Sequence, residues 1–379
     1  MIAVRLRMAP WLSMALALAV SCTAAPARSA ARATVTPPAP VATASPTAPQ
    51  RLIYAAQDDG TLHVYAIDQA HALLRTLSVF TCCGDVRGAA AAVPTHRFYV
   101  MYNRGGQGHV ASVDLVTGAV LWDKVLHSPG VDRGSVTPDG KTLYLPTWES
   151  DASSPYELVV DALTGDVRSR ITLPPRSHDT LVSPDGSRVY METKSATHAL
   201  YIGSTTTDQV VGTVSGYCCS GILAPFAVNG RGTRVVNDVL GYTGFQVGDL
   251  TTGRVVESVP ASGSTGHGIA FSPDERQVWL NDGVAPEVHV FDMTLSPPRQ
   301  VALVRVSNPG PHWVTFDING RYAYVAGPKG TGDPTDVIDT STDQRVAELS
   351  ASEDLLEVDF AGSTVVAVGN QFGVGRVTG

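Results

Sequence analysis

Two kinds of turn recur along this chain at one shared interval, and that interval constrains the fold more than any other feature. The first turn opens on Asp and closes on Thr-Gly, as in Asp114-Leu-Val-Thr-Gly118, Asp161-Ala-Leu-Thr-Gly165 and Asp249-Leu-Thr-Thr-Gly253. Looser copies start at Asp68, Ser204, Asp292 and Asp339. The second is Ser-Pro-Asp-Gly-like, centred on Pro138, Pro184 and Pro273, with degenerate copies at Pro94, Val228, Ile318 and Phe360. Each series holds seven members spaced 42 to 47 residues apart. Pro pre-sets φ at the second turn position and Gly or Asn supplies the positive φ that closes a hairpin.

Short β-rich runs separate these turns from residue 51 onward, with no long segment of 3.6-residue period. Four strands per unit, a period in the mid-forties and no helices predict an all-β fold, a β-propeller. Seven turns of each type predict seven blades of four antiparallel strands. The unit around Pro138 predicts strands at 134–137, 142–145, 157–161 and 167–173. Two further strand candidates, Leu52–Ala55 and Phe372–Val377, stand at the ends. The ring is expected to close in a composite blade, with the hairpin 355–368 inside and the hairpin 63–79 outside, which leaves no long free edge.

The repeat units resemble the YVTN-type propeller repeats of the bacterial YncE-like family, in an exported branch of it. The residues that carry the likeness are His178-Asp179-Thr180-Leu181-Val182-Ser183-Pro184-Asp185-Gly186, His267-Gly268-Ile269 ahead of Ser272-Pro273-Asp274, and Trp313-Val-Thr-Phe316 with Gly320-Arg321-Tyr322-Ala323-Tyr324. The ending Gln371-Phe372-Gly373-Val374-Gly375-Arg376-Val377 belongs to the same set. The resemblance spans nearly all of residues 51–379 and implies the propeller fold. It implies no reaction. Related propellers include lactonases and amine dehydrogenase heavy chains, but none of their site motifs can be matched here.

The first fifty residues read as an address and a spacer. Arg5 and Arg7 precede a short apolar stretch from Met8 to Val20, as in a secretory signal over residues 1–22. That stretch is too short to span a bilayer. Ala19-Val20-Ser21-Cys22 resembles a lipobox and makes Cys22 a lipidation candidate, although Ala19 stands where Leu is usual. Ordinary cleavage near Ala25-Pro26-Ala27 or Ala27-Arg28-Ser29 is the rival reading. Residues 23–50, almost all Ala, Pro, Thr and Ser, are expected to be a disordered tether. The expected location is the cell envelope or the medium, with a lipid anchor as the only membrane contact.

Charge excludes one partner class. The chain carries −8, and the first fifty residues contribute four Arg and no acid, so residues 51–379 carry −12. Such a surface repels phosphate backbones and argues against nucleic acid. A small ligand or an envelope protein remains as partner, bound by a monomeric body.

In a propeller the first strand of each blade lines the axis, and its start faces the mouth. Six residues before each Pro-Asp-Gly turn stand Gly88, Asp132, His178, Ile222, His267, His312 and Asp354. Asp132, Arg133, His178, His267, His312 and Asp354 are therefore candidate ligand-binding residues, with Arg87 close in register. His267, His312 and Asp354 fall on consecutive blades, with Glu353 and Glu357 nearby. Two imidazoles and a carboxylate could hold a divalent metal with open positions, or serve as a base and its orienting partner. Plain polar lining of a wet channel is the competing reading. An Arg at the mouth could hold a carboxylate or phosphate.

Beyond Cys22, the cysteines form two vicinal pairs, Cys82-Cys83 and Cys218-Cys219, on connections leading to the mouth. In an oxidising compartment they should pair, either within each dipeptide or across the mouth between loops. Gly-x-Ser-x-Gly, His-Glu-x-x-His, P-loop and dinucleotide motifs are missing. The leading expectation is a binding or interaction protein that uses the mouth. The alternative is a propeller enzyme, lactonase-like or metal-dependent, with the same residues as bases or ligands. A purely structural module, with contacts on the outer blade edges, is the third.

Overall fold

The structure is a computed structural model that describes residues 48–264 and 266–372. The expected signal, most of the spacer, Cys22 and residues 373–377 lie outside the described residues. The described residues hold 29 strands, one short 3-10 turn and no α-helix.

The strands form antiparallel meanders, all but the composite sheet made of consecutive segments of chain. The unit around Pro138 is representative, with strands Ser135–Val136, Thr142–Leu145, Tyr156–Asp161 and Val167–Thr172 at the expected places. Four sheets contain four strands, one contains five, and one contains eight. The eight-stranded sheet is two such meanders joined by a single parallel pair, Ser215 with Arg254. The first strands of successive meanders pack side by side, and Leu355–Ala361 near the C-terminus packs against Asp85–Ala92 near the N-terminus, so the ring closes.

The turns have the chemistry their sequences promise. Asp114 Oδ1 accepts the backbone N–H of Val116 at 2.9 Å and of Thr117 at 2.7 Å, and Gly118 takes φ of 74°. Asp161 and Asp249 repeat the arrangement. In the other series Thr137 Oγ1 donates to Asp139 Oδ1 at 2.6 Å, and Gly140 takes φ of 72°. Side-chain acceptors thus fix each hairpin locally.

Packing follows position within the meander. Inner and middle strands are buried on both faces, as in Arg188–Thr193 after its first residue. Outermost strands alternate, as in Arg254–Pro260. Trp279, Trp313, Tyr54 and Phe98 are fully buried between sheets. Burying an aromatic or branched side chain of this kind stabilises by about 1.5–3 kcal/mol.

The composite sheet differs from expectation. Its order is Thr364–Val368, Leu355–Ala361, Gln50–Ala56, Thr61–Ala66, Ala72–Ser78. The strand Gln50–Ala56 is a middle strand, not an extra one: it pairs Leu355–Ala361 from Gln50 with Phe360 to Ala55 with Leu355. Its apolar run, buried from Leu52 onward, demands cover on both faces. Thr364–Val368 is displaced to the axial edge as a fifth strand.

Candidate functional site

The seven equivalent positions gather at one end of the axis. Gly88 is needed there because a Cβ would stand 3.0 Å from Arg133 Cα, so the two first strands approach closely only without a side chain. Ile222 is half-buried. The others join one network of charge.

Arg87 donates Nε–H to Asp132 Oδ1 at 2.9 Å and Nη2–H to Asp132 Oδ2 at 3.0 Å, a two-pronged pair in which Asp132 is fully buried. Burial pushes the Asp132 carboxyl up, and Arg87 pulls against it. Arg87 also reaches Glu149 Oε1 at 3.0 Å, and the Glu149 N–H reaches Asp132 Oδ2 at 3.3 Å. Glu149 follows Trp148, whose φ of 94° is costly for a bulky side chain.

Arg133 is fully buried, its guanidinium 4.1 Å above the Trp313 ring. It stands 2.8 Å from Glu353 Oε1, 3.7 Å from Asp354 Oδ1 and 3.8 Å from Asp179 Oδ1. Burial opposes its charge, and these three carboxyls more than offset burial.

His178 owes its surroundings to a β-bulge. Ser177 pairs with Thr193 and Thr180 with Met191, so His178 and Asp179 together face the single residue Glu192. His178 Nδ1 lies 2.7 Å from Glu192 Oε1 and 3.3 Å from Asp179 Oδ2, and Nε2 lies 3.8 Å from Glu149 Oε2. All three of His178, Asp179 and Glu192 are buried. Burial drives His178 well below its ordinary pKa, so the ring is neutral near pH 7. Burial raises Asp179 to about 7 and Glu192 well above the usual carboxylate range. Lys194 Nζ stands 3.8 Å from Glu192 Oε1.

His267 and His312 stack with centroids 3.9 Å apart at 13°. His267 Nδ1 lies 3.1 Å from the His312 carbonyl, and His312 Nδ1 bonds Glu353. Glu353 also holds Lys329 Nζ at 2.9 Å. Burial would raise Glu353, but Arg133, His312 and Lys329 hold it well below the usual range. Asp354 does not join the two imidazoles: it accepts from Gln371 Nε2 at 3.0 Å and faces Arg133, and burial raises it to about 6. His267, His312 and Asp354 thus do not form one ligand set, because Glu353 rather than Asp354 reaches the ring. Among the described residues, donor atoms crowd closely enough for an ion in two groups, Asp132–Glu149–His178 and His178–Asp179–Glu192.

Below the network the C-terminal segment enters the axis. Trp313 Nε1–H donates to the Gln371 carbonyl at 2.7 Å, Thr315 Oγ1 to the Asn370 carbonyl at 2.9 Å, and Phe372 packs on Phe226 and Trp313. Beneath it an apolar cavity of about 500 Å³ runs between Ala89–Ala92 and Val366–Phe372. On the charged side a cleft of about 410 Å³ opens beside Asp58, Lys329, Glu353 and Asp354.

No family model and no curated protein matches the sequence. Solved structures do. Hydrazine synthase of Kuenenia stuttgartiensis superposes with a TM-score of 0.60 at 16% identity, covering 76% of this chain and 95% of that one. The dihydro-heme d1 dehydrogenase NirN, in complex with DHE, superposes with a TM-score of 0.60 at 16% identity, covering 84% and 72%. The fold is a β-propeller.

On this propeller the sequence located Asp132, Arg133, His178, His267, His312 and Asp354 at one mouth. It missed Glu149, Glu192, Lys194 and Lys329, and it noted Asp179 only as a repeat residue. Glu192 left one legible trace, an acid directly after the apolar run Val189-Tyr190-Met191 on the same strand, where a buried charge needs a reason. The cysteines pair within each dipeptide, Cys82 with Cys83 and Cys218 with Cys219, and not across the mouth.

Proposed function

We propose that this is an exported cell-envelope propeller of seven blades, of the YVTN-type, YncE-like kind, that binds a small ligand at the charged mouth. The blade count takes the eight-stranded sheet as two blades and the composite sheet as one. Export rests on the signal-like residues 1–22 and on the paired cysteines.

The observation that carries the binding reading is the contrast between the two ends of the axis. One end gathers Asp132, Arg133, His178, His267, His312 and Asp354 in a charged network, and Gln371 with Trp313 closes the passage beneath it. A blind, charged recess suits a bound small molecule better than a conduit. Even with Asp179 and Glu192 left out, because burial favours their protonated forms, carboxylates outnumber cations around it: Asp85, Asp132, Glu149, Glu353 and Asp354 against Arg87, Arg133, Lys194 and Lys329. The ligand class is therefore small, polar and cationic, an amine rather than a carboxylate. Calorimetric titration with a panel of small amines and small carboxylates tests this. Binding of an amine that weakens in Glu353→Gln and His312→Ala supports the reading, and binding confined to carboxylates, or to none, contradicts it.

A second reading is favoured by one contact. His312 is partly exposed and its Nδ1 is held by Glu353, the arrangement of a general base with its orienting carboxylate. In that reading the mouth hydrolyses its ligand, with water as nucleophile, and His312→Ala abolishes turnover while leaving binding largely intact.

A further inference from the structure

We propose that His178, Asp179 and Glu192 form a binding site for a divalent first-row transition ion, of the zinc or manganese type, within the charged mouth.

Three observations converge. The bulge brings two neighbouring side chains of one strand against a third on the next, so one imidazole nitrogen and two carboxylates meet at a point. Their separations, 2.7 Å from His178 Nδ1 to Glu192 Oε1 and 3.3 Å to Asp179 Oδ2, bracket the spacing of about 3 Å between donors that share an ion at roughly 2.0–2.2 Å. Neither oxygen of Asp179 accepts a hydrogen bond, nor does Glu192 Oε2, and both side chains are fully buried. Buried carboxyl oxygens without hydrogen-bond partners are costly, and a divalent cation that displaces their protons satisfies both groups at once.

The surroundings complete the geometry. With the Nδ1 lone pair on the ion, the His178 proton sits on Nε2, facing Glu149 Oε2 at 3.8 Å, and that loop needs to close by less than 1 Å to make the carboxylate–imidazole–metal relay common at such sites. Two carboxylates face the ion and are shared with the more distant Arg133 and Lys194. Lys194 and Arg133 stand 3.8 Å away, outside hydrogen-bond reach of the donor set. Three protein ligands leave positions open for water or ligand.

The other candidate groups are engaged by partners outside their own sets, whereas the contact of His178 Nδ1 with Glu192 Oε1 lies within the proposed donor set. Both oxygens of Asp132 belong to Arg87, which removes the Asp132–Glu149–His178 set. His267 and His312 turn their Nδ1 atoms to a carbonyl and to Glu353.

The inference rests on the charged mouth being the binding end, but the two claims fail separately, because the ion is titrated alone and the amine panel is run on its own. The full chain, purified without chelator or metal-affinity resin, is measured for metal content and titrated with Zn²⁺ and Mn²⁺. One ion per chain is expected. Affinity should fall by at least ~100-fold in Asp179→Asn/Glu192→Gln and in His178→Gln, with circular dichroism confirming that each variant is folded. The Asn/Gln pair keeps the shape of the pocket, so loss of metal in a folded protein is readable. No stoichiometric ion in the wild type overturns the proposal. So does an undiminished affinity in Asp179→Asn/Glu192→Gln, or a loss confined to His267→Ala/His312→Ala.

Discussion

His178 Nδ1 and Glu192 Oε1 stand 2.7 Å apart on two buried side chains that regular strand pairing would not bring together with Asp179. The bulge between Ser177 and Thr180 creates the contact, since it sets two residues of one strand against one of the next. Bulges also interrupt two other first strands, at Arg87 and between Leu223 and Phe226, though at different distances from their turns. At the mouth two of these breaks carry ionisable side chains, Arg87 on one strand and His178 with Asp179 on the other.

Arg87 and Asp132 should be strongly coupled. Arg87→Met strands a buried carboxylate and should cost about 3–5 kcal/mol, whereas Arg87→Met/Asp132→Leu should cost much less. Urea unfolding of both single variants and the double variant reads the coupling. Additive costs would show that the pair is not a unit.

Glu157 should give the protein an alkaline weakness. Burial raises its pKa from 4.5 to about 8, with Thr180 Oγ1–H donating to it at 2.6 Å. The folded state therefore holds a proton that the unfolded state releases above pH 4.5. Its contribution is full below that point and is lost as pH rises toward 8. Glu157→Gln should flatten the stability profile between pH 5 and 8 and add on the order of 1–3 kcal/mol at pH 8. A profile unchanged by the substitution would contradict the assignment.

Gln371 should be worth more than an ordinary amide near a chain end. Its side chain accepts from the Ala89 N–H and donates to Asp354, and its carbonyl accepts from Trp313. Gln371→Ala leaves a buried N–H and a buried carboxyl short of partners, a loss of roughly 2–4 kcal/mol. Removing residues 370–379 should also shift tryptophan emission to the red, because Trp313 is fully buried against this segment. An unchanged spectrum would mean that the segment does not close the axis in solution.

The vicinal pairing predicts a simple peptide map. Unreduced protein should offer no alkylatable thiol at Cys82, Cys83, Cys218 or Cys219, and no proteolytic fragment should link the two loops. A linked fragment would place the bridges across the mouth.

The repeat was legible because its turns are local. Asp114 with Gly118, and Thr137 with Asp139 and Gly140, fix their hairpins through contacts two to four residues apart, so period and strand places could be read directly. Counting back from those turns then found the mouth, since register carries position along a strand. What could not be read depends on departures from register. The meeting of His178 and Asp179 with Glu192 needs a bulge, and no residue of that strand announces one. The exchange of Asp354 for Glu353 at His312 turns on which way two adjacent side chains point at a strand start. The middle place of Gln50–Ala56 and the axial place of Thr364–Val368 depend on pairing between opposite ends of the chain, 300 to 310 residues apart.

The most direct test of the charged mouth as a ligand site is a diffraction measurement at the zinc absorption edge on crystals grown with Zn²⁺. The account predicts one anomalous peak within about 2.3 Å of His178 Nδ1 and of a carboxylate oxygen from each of Asp179 and Glu192. A map without a peak at the mouth, or with its peak at His267 and His312, would contradict it.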